Sequence, residues 1–149
     1  MQNPLITVYH LKMGKKQAKK QKKLSQVTRP RAKSRAEIVL SIVRTDNTFA
    51  LSDSNNSDAQ FWIGKCIHCN SKLFVSASGC TDATVEHIQP LCNLGSAEDL
   101  YNLALACKRC NNRKGIDHDR RAGSGGRADE VITALQLKRK LRWRDSIVE

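Results

Sequence analysis

Cys66-Ile67-His68-Cys69 and Cys107-Lys108-Arg109-Cys110 decide how this chain is read. Both are C-x-x-C pairs, and 37 residues separate them. Two such knuckles place four thiolates around one tetrahedral Zn²⁺ at Zn–S distances of ~2.3 Å. A single pair would suit a redox site, but redox chemistry has no use for a second copy. A disulfide within each pair would be strained. Cys66, Cys69, Cys107 and Cys110 are therefore expected to hold one structural zinc. The gap exceeds the ~15–20 residues usual between knuckles, so a whole structural element is inserted there. Cys80 and Cys92 are left over and are expected as small buried residues. His68 is expected as an exposed filler of its knuckle.

The insert carries Thr84-Val85-Glu86-His87-Ile88-Gln89-Pro90, then Asp99-Leu100-Tyr101-Asn102-Leu103-Ala104-Leu105-Ala106. The second knuckle runs on as Cys110-Asn111-Asn112-Arg113-Lys114-Gly115. This ordered set resembles the HNH endonuclease family, with its ββα-metal (His-Me) finger. The shared pattern is C-x-x-C, E/D-H-x-x-P, N-L and C-x-x-C-N-x-x-K-G, over residues 66–115. No single piece is specific; the conjunction is.

The resemblance implies an α+β fold, a small ββα-metal finger stapled by the four-cysteine zinc site and flanked by helices. Residues 85–88 and 103–106 would be its strands, residues 90–99 a surface loop, and a helix would start at the second knuckle. The activity implied is hydrolysis of DNA phosphodiesters to 3′-hydroxyl and 5′-phosphate ends. His is the side chain whose ordinary pKa, ~6.5, suits proton abstraction near neutral pH, which makes His87 the general base. The resemblance gives Glu86 and Asn111 to one catalytic divalent cation, Mg²⁺ or Mn²⁺, both of which favour hard oxygen donors. It gives Asn102 the task of bonding the backbone after His87 and so holding the base. Strand alternation would send Glu86 and His87 to opposite faces. Arg113 and Lys114 are placed to contact phosphate beside the scissile bond, or else face solvent. His118 is expected as a polar residue after the helix.

Charge is distributed unevenly along the 149 residues. The formal net charge of +12 divides into +11 over residues 1–36, −5 over 37–107 and +6 over 108–149. A polyanion such as nucleic acid is the natural partner. Residues 1–33 read as a disordered basic tail, suited to lying along phosphates or to serving as a nuclear-localisation signal. Residues 34–122 read as the nuclease domain. Ser34-Arg35-Ala36-Glu37 fits a capping box opening a short helix to about Arg44. Residues 52–60 read as a loop and Phe61, Trp62 and Ile63 as an apolar lead into the first knuckle. Residues 123–149 read as a glycine-rich linker and a basic C-terminal helix, whose cations either touch phosphates or complement the helix dipole.

No run approaches the ~18 apolar residues that span a bilayer, and the basic N-terminus lacks the apolar core of a secretory signal. A membrane protein and an ordinary secreted protein are thus disfavoured, and a cytoplasmic, reducing compartment is expected. The rival from another class is a non-catalytic, zinc-stabilised nucleic-acid-binding module, which has no need of Glu86, His87, Asn102 and Asn111 together. A third reading is an accessory nuclease working with other components of a phage or bacterial machine.

Overall fold

The computed structural model describes residues 31–53 and 60–146. The basic tail expected over residues 1–33 lies almost wholly outside the described residues. Helix α1 spans Arg35–Thr45 and begins where the capping box puts it. The Glu37 N–H donates to Ser34 Oγ at 3.3 Å, and the Ser34 N–H donates to Glu37 Oε2 at 2.6 Å. Val39, Ile42 and Val43 share one face by their i, i+3, i+4 spacing, and all three are buried.

Three strands follow that the sequence reading did not expect. β1 (Ala50–Asp53), β2 (Gln60–Lys65) and β3 (Lys72–Ser76) form an antiparallel sheet in the order β1-β2-β3. Alternation turns Trp62 of β2 and Leu73 and Val75 of β3 inward. The apolar lead is thus half of a hairpin, and the first cysteine knuckle is its turn, closed by the Cys66 N–H donating to Ser71 O at 2.9 Å.

β4 (Thr84–His87) and β5 (Leu103–Ala106) make a separate antiparallel ribbon, with Glu86 opposite Ala104 and His87 opposite Leu103. Helix α2 (Lys108–Asp117) leaves β5 through the second knuckle, with Cys107 as its N-cap. This is a ββα unit. All four residues of β5 are buried, so the alternation suggested by its sequence is absent. The reason is that α1 packs on β5 while the Ile67 N–H bonds Leu105 O at 3.0 Å.

Helix α3 (Arg127–Leu141) packs Ile132 and Leu135 into the same core as α1 and both sheets. Arg127 at its start and Lys140 in its last turn are exposed, but the other cations of its last turn and just beyond it bond into the core. Arg139 is fully buried and donates to Thr45 O (3.1 Å), Thr45 Oγ1 (2.7 Å) and Leu100 O (3.2 and 3.1 Å). Arg144 donates to Arg44 O (3.0 Å) and Val43 O (2.9 Å). These are the orphan carbonyls at the end of α1. Arg142 donates to Lys65 O (3.0 Å) and Asn70 Oδ1 (2.6 Å), and Lys138 to His68 O (3.1 Å), all around the first knuckle. The basic C-terminal segment stitches α1 to the cysteine hairpin. No helix among the described residues is long and apolar enough to cross a membrane.

Candidate active site and metal centre

The β2–β3 hairpin turn and the start of α2 bring Cys66, Cys69, Cys107 and Cys110 together, with every Sγ within 4.8 Å of the others. A tetrahedron with ~2.3 Å Zn–S bonds has edges of ~3.8 Å. The Cys69 and Cys107 sulfurs stand 3.9 Å apart. The Cys107 N–H points at Cys66 Sγ from 3.3 Å, as the amides around a bound thiolate do. No disulfide links any of the four. Burial pushes the Cys66 thiol up, and burial with neighbouring thiols pushes Cys110 up to about 12. The Ser71 hydroxyl, 3.1 Å away, draws exposed Cys69 down to about 6. Four sulfurs at this spacing fit a soft tetrahedral divalent cation such as zinc. Cys80 and Cys92 stand apart from the cluster, and both are exposed, not buried as expected.

β4 ends at His87. Its half-buried imidazole has no hydrogen-bond partner among the described residues. The backbone around it is held from two sides. The Asn102 side chain accepts from the Gln89 N–H at 2.7 Å and donates to Gln89 O at 3.1 Å and Ser96 O at 2.8 Å. The Ile88 N–H bonds Asn102 O at 2.9 Å. Gly95 lets the loop fold back this closely, because a Cβ there would collide with Gln89 O. From the other side, Lys114 Nζ donates to the His87 carbonyl at 3.0 Å.

Glu86 points the other way, into the interior, where α2 packs on β4. One carboxylate oxygen lies 2.7 Å from Lys114 Nζ and the other 3.1 Å from His68 Nε2. Lys114 also reaches Asp119 Oδ1 at 2.6 Å, so all three ammonium protons have acceptors. Lys114 was expected at the surface against phosphate; its side chain is 2 % exposed. The helical period explains the difference: Lys114 lies one turn beyond Cys110, on the face of α2 turned to β4, whereas Arg113 projects outward and pairs with Asp117 at 3.4 Å. Asn111 is half-buried, and its amide has no hydrogen-bond partner among the described residues.

Residues 66–117 match the HNH endonuclease family model. The matched segment opens on the first zinc-type knuckle, takes in β4 and β5, and closes on the last residue of α2. No curated protein and no solved structure matches the chain. Within the HNH segment the structure links Glu86, Lys114 and the His87 backbone directly, and Asn102 to the loop after His87.

His68 and Asp119 belong to this network too, and the sequence reading missed both roles. Nothing in the spacing marks them. His68 meets Glu86 only because the hairpin turn lies against β4, and Asp119 meets Lys114 only because the chain turns back after α2.

Proposed function

We propose that this chain is a metal-dependent HNH endonuclease that hydrolyses DNA phosphodiesters, leaving 5′-phosphate and 3′-hydroxyl ends. The observation that carries the reading is His87: an imidazole without a hydrogen-bond partner among the described residues, on backbone held by Asn102 and Lys114. A general base must be unencumbered and fixed in place. Here His87 takes the proton of the attacking water, and Asn102 is the residue that keeps the loop, and therefore the ring, in register.

A divalent cation, Mg²⁺ or Mn²⁺, supplies positive charge for the phosphorane-like transition state and the leaving oxygen when bound. Asn111 fits it, since its amide has no hydrogen-bond partner among the described residues; Glu86, buried and paired with Lys114 and His68, would join it by turning an oxygen out of those pairs. Asn111 and Glu86 are accordingly the residues that would hold the cation. Zinc at Cys66, Cys69, Cys107 and Cys110 has no open position and serves folding. Arg113, exposed on the outer face of α2, contacts substrate phosphate; Lys114 acts from within.

A second reading, a zinc-stabilised nucleic-acid-binding module without catalysis, draws on one observation. Both Glu86 oxygens are already engaged, and the residue is 1 % exposed. Incubating plasmid with purified protein, with and without Mg²⁺ or Mn²⁺, separates the two. Nicks or cuts that need the added cation support the nuclease; intact plasmid under every condition supports the module.

A further inference from the structure

One sizeable cavity lies neither at His87 nor at the cysteines. It has a volume of about 810 Å³ and sits between the outer face of α2, the loop that follows and the start of α3. Arg113, His118, Arg121 and Arg127 line it, with Ile116 beneath. Its one acid, Asp117, is paired with Arg113. With His118 neutral the lining carries a net charge of +2. Arg121 and Arg127 are exposed, and neither guanidinium has a partner among the described residues.

We propose that this cleft binds the sugar-phosphate backbone of the nucleic acid flanking the scissile bond, with Arg121 and Arg127 as its principal phosphate ligands. The proposal rests on the nuclease reading only for the word "flanking". Three features point to the backbone. First, α3 places Arg127 at its first position, where a cation opposes the positive end of the dipole. Of the two acids in that turn, Asp129 is engaged by the Gly123 and Gly125 N–H groups and Glu130 is exposed. The cleft sets Arg113 and Arg121 beside Arg127, a concentration of cations that an anion relieves.

Second, guanidinium groups bind phosphate through paired N–H donors, and those of Arg121 and Arg127 have no partner among the described residues. Third, no Phe, Tyr or Trp lines the cleft among the described residues. Pockets for a free nucleotide or a drug-sized ligand are largely apolar, and recognition of a base relies on stacking. A lining of arginines around one aliphatic side chain suits a ribose-phosphate chain instead. The cleft opens on α2 at Arg113, two residues past Asn111, ~3 Å along the axis and ~200° around it, so a strand that meets both passes around the helix.

The test is DNA binding by the full chain with zinc in place and no added Mg²⁺ or Mn²⁺, read by fluorescence anisotropy of a short duplex across a salt series. Arg121→Ser/Arg127→Ser is compared with Lys65→Ser/Lys72→Ser, which removes the same charge from exposed positions on the other sheet. Losing two phosphate contacts lowers the slope of log K against log salt by ~2. The cleft pair is expected to show that drop with at least a tenfold weaker Kd, and the control pair a drop well under half as large. Equal effects of the two pairs, or no effect of the cleft pair, overturns the proposal. Zinc content and melting temperature are measured alongside, so misfolding is not mistaken for lost contacts. Because no catalytic cation is present, a failed nuclease reading leaves this result intact, and the reverse also holds.

Discussion

Lys114 Nζ lies 2.7 Å from Glu86 Oε1, and neither side chain is more than 2 % exposed. One ammonium thereby ties the strand that ends in His87 to the helix that carries Asn111, and through Asp119 it fixes the turn after that helix. A residue that looks like a phosphate contact in the motif is the interior pin of the site.

Removing one partner of a buried pair strands the other charge, at a cost of about 3–5 kcal/mol. Lys114→Met is therefore expected to lose about that much stability in urea denaturation. Lys114→Met/Glu86→Gln should recover most of it, since the stranded carboxylate is gone. A change under ~0.5 kcal/mol for the single variant, as at an ordinary surface site, would contradict the buried placement.

Arg139→Met is expected to destabilise by about 2–5 kcal/mol, because Thr45 O and Leu100 O lose buried donors. DNA affinity and its salt slope should not change in the folded variant. A flatter salt slope with unchanged stability would mean that Arg139 faces phosphate after all.

The cysteine centre sets a pH dependence. Zinc binds thiolate, and Cys66 and Cys110, both raised, are protonated at neutral pH in the metal-free fold. Binding must expel those protons, so affinity falls as pH falls, by at least about tenfold per unit. Competition with a chromophoric chelator between pH 6 and 8 measures this. Stripping the metal, or Cys107→Ser, should abolish the cooperative melt, which circular dichroism reads directly. A pH-independent affinity, or a metal-free chain that melts normally, contradicts a structural four-thiolate site.

Asn102→Ala deletes three hydrogen bonds that hold the loop after His87. Stability should drop by about 2–3 kcal/mol, and cleavage should fall at saturating DNA with Kd unchanged. Unaltered cleavage by the folded variant would leave Asn102 a turn residue and no more.

The cysteine knuckles were legible because they depend on local spacing, and the ββα unit because its residues resemble the HNH family. Each C-x-x-C is a complete chelating turn, and the Ser34–Glu37 box announces its own helix. β1 and β2 were not legible, since Ala50–Asp53 is too short and polar to read as a strand until it pairs with Gln60–Lys65. The basic face of α3 was misread for a different reason. Composition counts charges, but where Arg139 points depends on carbonyls 39 and 94 residues away. Lys114 was misread because its motif names a residue type, while the facing partners come from β4 and from the turn beyond α2.

The account stands most directly on plasmid cleavage by wild type, His87→Ala and Asn111→Ala across a Mn²⁺ series, with zinc content measured beside it. General-base catalysis contributes ~10²–10⁴-fold, so His87→Ala should lose that much rate while keeping zinc, fold and DNA affinity, and no excess of Mn²⁺ should restore it. Asn111→Ala should lose activity that excess Mn²⁺ partly returns, because its amide serves the cation and not the proton. Wild-type rates in a folded His87→Ala protein would contradict the assignment of the base and, with it, the catalytic reading of the HNH segment.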